Sequence, residues 1–502
     1  MFNRSNRRTC LATLGLLLTV AGGASIGAQA IPDRPEKLTF PALNYEAPDP
    51  ADYRVQLKSG PVAYVVPDRE LPLINISVSV KAGSYLEPAG KEGLADLAGY
   101  LLTKGGTKSW KADDLDEHVA FLAARLSSSI GDTSGDVNLN LLSKDLDAGL
   151  KILREVLTEP SFEADKLQLR KEQDLQSMKQ RNDDPRGIER RERYRLVYGD
   201  DFFLNRLATK ASIDSITRGD LKAFHRRWFV PGNFVVAVNG DFDRPTMIAK
   251  LEKLFAKWPF KGATPPEIPS RYTLAKPGVY VVEKDVPQGR VNVVMPGIHR
   301  DDPDFLASQI MNDILGGGGF TSRIMNRVRS DEGLAYSAGS ALPGGIHYPQ
   351  YFIAGFQSKS PTVAYATSIV MEELGRIAKE AVTVEELATA KKSFIETFPQ
   401  AFATKGQVAS RFADDEMTGR FAQHPDYWKT YRARMDKVTA ADVQRVAERF
   451  MKLDRAFILV VGNKAEILKG HPDHKVKLTD LVKGGLVDVP LRDPLTLEPI
   501  KK

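Results

Sequence analysis

At 502 residues the chain is too long for one ordinary core, so two or more domains are expected. Its 42% apolar and 27% charged residues are the balance of a soluble globular protein. The net charge of +6 is spread along the chain without a long basic run, which argues against nucleic acid as a partner.

The first 30 residues read as an export signal. Arg4, Arg7 and Arg8 form a positive start, Leu11 to Val20 a short apolar core, and Ala28-Gln29-Ala30 a small-x-small cleavage site. A mature start at Ile31 and a periplasmic address are expected. Arg7-Arg8 leaves the twin-arginine route open, with the general secretory route preferred because the surrounding match is poor. The apolar core is too short to span a bilayer, and no later segment reaches that length. Losing three arginines would lower the charge from +6 to +3. Cys10, the only cysteine, would leave with the signal, so no disulfide or thiolate metal ligand is expected in the mature chain.

Residues 31–50 are Pro-rich and read as extended. Tyr53–Leu57 and Val62–Val66 flank Ser59-Gly60 as a hairpin, and Ile74, Ile76, Val78 and Val80 alternate as a half-buried strand. Leu94, Leu97, Leu101 and Leu102 mark a helix stopped by Gly105-Gly106. A second helix follows at Leu115, Val119 and Leu122. Then come a strand at Val137, Leu139 and Leu141, a helix at Leu146 to Leu157, and a long polar helix from Glu163 to Gln180. Ile213–Phe229 reads as helix and Phe234–Val238 as strand. Residues 261–277 hold four prolines and no apolar period, the mark of a linker. Strands then resume at Val279–Val282 and Val291–Val294. A helix at Phe305–Leu315, a loop at Gly316–Gly319 and a helix at Ser322–Val328 follow.

The pattern repeats. Asp220, Trp228 and Gly240 recur as Asp442, Phe450 and Gly462, each 222 residues later, and Gly83 recurs as Gly297 after 214. A duplicated α+β domain is expected, with an antiparallel-rich sheet packed by helices on one face of each copy. The first copy spans residues 51–260 and the second 278–465, with a tail at 466–502.

Three features in order identify a resemblance. They are the lead-in G-S-x-x-E-P-x-G-x-x-G-L at Gly83–Leu94, the D-D-P at Asp183–Pro185, and S-R-x-x-x-x-V-R-x-x-x-G-L-A-Y at Ser322–Tyr336. The chain resembles the M16 peptidases, the group of pitrilysin, insulinase and mitochondrial processing peptidase, over nearly all of the mature length. That resemblance implies two LuxS/metallopeptidase-like domains. In active members the helix after the lead-in carries H-x-x-E-H. Residues i, i+3 and i+4 share one helix face, so two imidazoles can grip one Zn²⁺ beside a Glu that polarises water. Here those positions read Asp96, Gly99 and Tyr100, and the later Glu ligand falls on Ser177. One carboxylate does not make a zinc site, so no metal is expected in this chain. The histidine pair His471 and His474, in a Pro-containing tail turn, lacks a third ligand, and His225 reads as packing.

The resemblance also places the family's second-half pair on Arg329 and Tyr336, implying contacts to substrate backbone and to the oxyanion formed during hydrolysis. Gly317 and Gly318, in the glycine loop, become candidate substrate contacts, with a flexible connector as the plainer reading. Some bacterial members of this family divide these parts between two chains. A non-catalytic subunit is therefore implied, paired as a heterodimer with a zinc-bearing H-x-x-E-H subunit and acting on peptides. A partner-independent peptide-binding or scaffolding protein is the alternative.

Overall fold

The computed structural model describes residues 44–500, together with Arg34 and Leu38. The expected signal, and most of the extended segment after it, lie outside the described residues. Two six-stranded sheets organise the rest. The first takes β1 (Arg54–Gln56), β2 (Val62–Pro67), β3 (Leu73–Val80), β4 (Arg125–Ile130), β5 (Gly135–Leu142) and β6 (Phe234–Gly240), in the order β1-β2-β6-β3-β5-β4. The second takes β7 (Gly278–Glu283), β8 (Gln288–Pro296), β10 (Ala335–Ala341), β12 (Tyr351–Lys359), β13 (Phe457–Gly462) and β14 (Leu486–Val489), in the order β10-β12-β8-β13-β7-β14. A short pair, β9 (Ile298–His299) and β11 (Gly344–Gly345), lies outside them. The first sheet has one parallel pair, β2 with β6, and the second has two, β7 with β13 and β7 with β14, among antiparallel neighbours.

The helices of the first half are α1 (Leu94–Lys104), α2 (Ala112–Phe121), α3 (Leu146–Thr158), α4 (Ala164–Lys179), α5 (Pro185–Tyr198), α6 (Lys210–Ser215), α7 (Arg218–Trp228) and α8 (Arg244–Phe255). Those of the second are α9 (Phe305–Asn312), the single turn α10 (Arg323–Met325), α11 (Val363–Lys379), α12 (Val384–Thr397), α13 (Lys405–Met417), α14 (Arg420–Gln423), α15 (Tyr427–Asp436), α16 (Ala440–Phe450) and α17 (Lys464–Lys469). No helix among the described residues is long and apolar enough to cross a membrane.

The duplication is visible in detail. Asp220 and Asp442 are the N3 residues of identical capping boxes, closed by Thr217 on α7 and Thr439 on α16. The helix expected over Ile213–Phe229 is therefore two helices, because the Thr217 cap starts a new one. Gly83 and Gly297 each follow the equivalent strand, β3 or β8, where a Cβ would collide with a backbone carbonyl, of Asp132 and of Gln350.

Helices were expected on one face of each sheet, yet the central strands are covered on both. Ala63 and Val65 of β2 face their own half's core, whereas Tyr64 and Val66 pack with Phe402, Val408, Ala409 and Phe412 around α13 of the second half. The exchange is reciprocal. Ile188, Val197 and Tyr198 of α5, in the first half, cover Val282, Val294, Leu459 and Val461 of the second sheet. That is why Val62–Val66 and Phe457–Val461 are unbroken apolar runs, while the edge strand β4, covered on one face only, alternates. The chain after β14 returns to the first half. Lys210 donates its backbone N–H to Leu495 O at 2.8 Å, and Arg492 reaches the buried Glu192 carboxylate at 3.4 Å.

Candidate functional site

The lead-in sets the start of α1. Glu87 is buried and accepts from the backbone N–H groups of Gly93 and Ala95, at 3.2 and 2.7 Å. The helix then lies so close to β4 that Gly99 is covered. A Cβ there would collide with the backbone nitrogen of Ile130 and lie 2.9 Å from the carbonyl carbon of Ser129. No side chain of any kind fits at this position without parting helix from strand.

The two other helix positions are tied to an arginine. Arg170, on α4, donates from Nη2 to Asp96 Oδ2 at 3.1 Å and lies 3.0 Å, through Nε, from Asp174. Its guanidinium stacks 4.3 Å from the Tyr100 ring centroid. Burial pushes the Asp174 carboxyl up, against the pull of Arg170. Ser177 sits two turns further along α4, exposed. The donor set thus contains a fixed cation and a position with no room for a side chain, and it does not fit a zinc ion. Among the described residues no group of three or more His, Cys, Asp or Glu side chains is placed to hold a metal. His225 is buried, with Nε2 3.0 Å from Leu157 O, and burial pulls its pKa down to about 4. His474 stacks on Tyr365 at 3.6 Å and His471 lies beside it.

The second cluster is built by irregular helix. After α9, residues Asp313–Gly317 form a π turn, and after α10 a second π turn runs over Asn326–Asp331. Regular helices were expected up to Leu315, with a loop at Gly316–Gly319, and up to Val328, and the close approach to β10 explains the first difference. A Cβ at Gly316 would lie 2.5 Å from Ser340 N, so the widened turn carries a bare backbone onto the strand. Asn312 and Ser340 clamp the contact, with Ser340 Oγ donating to Asn312 Oδ1 at 2.8 Å. Arg323 forms a bidentate pair with Glu386, at 2.6 and 2.8 Å, which holds that carboxyl down at about 2. Arg323 is thereby a brace between α10 and the start of α12.

The second π turn presents Arg329. Its guanidinium lies 4.6 Å from the Phe320 ring centroid and 4.8 Å from that of Tyr336, within cation–π range of both. Phe320 is 64% and Tyr336 85% exposed. The β10–β12 ladder breaks register between Ala335 and Ala338, which puts Tyr336 at a bulge on the free edge of the sheet. No carboxylate among the described residues pairs with Arg329. Its guanidinium N–H groups therefore stand without a carboxylate partner beside an exposed phenol. Gly318 already donates its N–H to Asp313 O at 2.8 Å, so that group is not free for a substrate. The structure brings Arg329 to Tyr336, and Asp96 to Tyr100 through Arg170, but no hydrogen bond, ion pair or ring contact among the described residues joins the two sets. Sequence reasoning missed Arg170 and gave Phe320, beside the glycine loop, no role. An arginine seven residues before Ser177 and a Phe after four glycines were the available signals.

Known proteins match the chain in the same two pieces. Residues 68–205 match the family model described as insulinase (peptidase family M16), and residues 215–394 that described as the peptidase M16 inactive domain. A Helicobacter pylori protein named non-peptidase homolog YmxG is 27% identical over 66% of this chain and 76% of its own. The fold matches a solved peptidase M16 inactive domain from Pseudomonas fluorescens, with TM-score 0.73 and 24% identity over 82% of this chain and 97% of that one. It also matches the periplasmic protease PqqL from Escherichia coli, with TM-score 0.68 and 16% identity, covering 88% of this chain but only 49% of the other. With both family models matched in order along a duplicated fold, the chain belongs to peptidase family M16, as a member without the family's zinc donor set.

Proposed function

We propose that this chain is the non-catalytic subunit of a heterodimeric, periplasmic zinc peptidase. It would close a chamber with an H-x-x-E-H subunit and present Arg329 and Tyr336 to that subunit's site. The observation that carries this reading is the contrast between the two clusters. In the first half an arginine and a filled helix–strand contact stand where the zinc chemistry would be. In the second half an arginine and a tyrosine are held together and exposed at a free sheet edge. The fold likeness to about half the length of PqqL supports a chamber needing a second unit of similar size.

In this reading the cofactor is the partner's zinc, and this chain needs none. An extended peptide would add to the free edge of β10 through main-chain hydrogen bonds. The Arg329 N–H groups and the Tyr336 hydroxyl would donate to the peptide and to the charge developing on its carbonyl oxygen. The test is to combine the purified chain with a zinc-motif M16 protein from the same organism. A complex should form, and Arg329→Ala or Tyr336→Ala should lower its peptidase rate by about 10²-fold while leaving assembly intact. No complex, or an unchanged rate in the double variant, overturns the proposal. Peptide binding by the isolated chain, with zinc-independent behaviour in every mixture, would instead establish the scaffolding alternative.

A further inference from the structure

Beside Tyr336 the second sheet has an open face. Strands β8, β12 and β10 are covered on their other side by the core that includes Val291, Val293 and Phe356. On the open side the ladder pairs Gln288 with Lys359, Arg290 with Gln357, and Asn292 with Gly355. These positions alternate with the core residues, so their side chains share one face. Helix α5 covers this face only over the central strands, and Arg186 in its first turn reaches the rim of what remains. The result is a cavity of about 570 Å³ that Tyr336 also lines.

Its charge is one-sided. Arg186, Arg290 and Lys359 line it, and no Asp or Glu does. Neither the Arg186 nor the Lys359 side chain makes a hydrogen bond or ion pair among the described residues. Arg290 gives Nη1 to Gln357 Oε1 at 3.0 Å and lies 3.6 Å from Glu189, a buried carboxylate also bonded to Arg193. Its Nε is buried with no hydrogen-bond partner. Asp184 is committed to capping α5 through the Arg186 backbone N–H, at 2.9 Å. The carboxamides of Gln288, Gln357 and Asn292 supply further donors around the three cations. Gly355 keeps the middle of the floor bare, since a Cβ there would lie 2.9 Å from Asn292 Oδ1.

We propose that this cavity is an anion subsite that takes a carboxylate of a peptide laid along β10. The inference rests on the peptide-binding part of the function proposed above and adds a substrate class, acidic peptides. The placement follows from strand geometry. A segment added to the edge of a sheet directs every second side chain to one face, here the face of Arg290 and Lys359. A carboxylate there meets two cations without a carboxylate partner, Arg186 and Lys359, beside the carboxamides of Gln288 and Gln357, and charge-assisted bonds are the strong ones. The carboxylate can be an acidic side chain or the C-terminus of a short peptide.

The test uses the full chain and fluorescence anisotropy with three labelled Ala/Ser peptides. Two have amidated C-termini and differ by Glu or Gln at the centre, and the third carries the central Gln with a free C-terminus. The Glu peptide, the free-carboxyl peptide, or both should bind about tenfold tighter than the amidated Gln peptide, and the preference should shrink as salt rises. A Glu preference assigns the side chain, and a free-carboxyl preference assigns the terminus. In Arg186→Gln/Lys359→Gln the preference should vanish while the amidated Gln peptide binds as before. Equal binding of all three peptides overturns the subsite and leaves the peptide-binding reading standing. A preference that survives the double substitution also overturns it. Binding of none of the peptides overturns both.

Discussion

Substituting Asp96→His, Gly99→Glu and Tyr100→His, with Ser177→Glu, should not create a zinc site in this chain. The obstacle is Gly99, where a side chain would have to displace the Ile130 backbone. Gly99→Glu alone should cost about 3 kcal/mol or more, read as a lower urea midpoint, and the quadruple variant should bind far less than one equivalent of zinc by metal analysis. The absence of ligands was legible in the sequence, because it depends only on residue identity at fixed spacing. The occupant was not. Arg170 meets Asp96 across 74 residues, a pairing that only the packing of α4 on α1 creates. A second residue-scale expectation concerns pH. His225 has a folded pKa near 4 against about 6.5 unfolded, so the unfolded state binds more protons between those values. Its contribution is intact above about pH 6.5 and is lost as pH falls toward 4, by about 2 kcal/mol between pH 7 and pH 5. Glu87, raised to about 7 by burial, has the opposite slope, so the comparison must be with His225→Gln, in which only the histidine is gone. Denaturation at both pH values should show the wild type losing more stability on acidification than the variant, and equal losses would refute the assignment.

Among the elements, the stretch from Phe305 to Ala341 departs most from its sequence pattern. Apolar spacing predicts two ordinary helices, and the residues that do so, Ile310, Ile314, Ile324 and Val328, are indeed buried. What spacing does not carry is the winding. The backbone widens into π turns where Gly316 meets β10 and where Arg329 is presented, and the first depends on a strand that comes later in the chain. Gly316→Ala therefore tests the element rather than the residue. Its Cβ would press on Ser340 N from 2.5 Å, pushing the turn off the strand that bears Tyr336. A loss of about 1–3 kcal/mol in urea unfolding is expected. The peptidase rate of the proposed complex should fall as well, though Gly316 itself touches no substrate. Wild-type stability and rate in this variant would show that the π turn is incidental to the presentation of Arg329.

The duplication was legible because each copy starts the same helix with the same Thr-x-x-Asp cap and ends the following strand at a Gly. The exchange between the copies was not, since α5 is rich in charge and its aliphatic residues Ile188, Leu196 and Val197 are too few to announce a buried face. Yet that exchange decides how the molecule behaves as a whole. The outer face of the first sheet packs on Phe402, Val408 and Phe412 from the second half, and that of the second sheet packs on α5 from the first. Neither half can bury both faces of its own central strands. Cut at the linker, residues 44–260 would expose Tyr64, Val66 and Val235, and residues 278–500 would expose Val294, Leu459 and Val461. The two halves expressed separately should be insoluble or unfolded, and their coexpression should restore a soluble complex. The intact chain should unfold in one calorimetric transition, with its van't Hoff and calorimetric enthalpies equal. Phe412→Ala, which removes a fully buried ring from the shared layer, should lower that single transition by about 3–5 kcal/mol without splitting it. Two resolved transitions, or a first half that folds alone, would mean that each sheet is stable with one face bare. A rigid coupling of the halves suits the proposed subunit, whose Arg329 would be held at a fixed place in another chain's site, because anything anchored on the first half then positions the second.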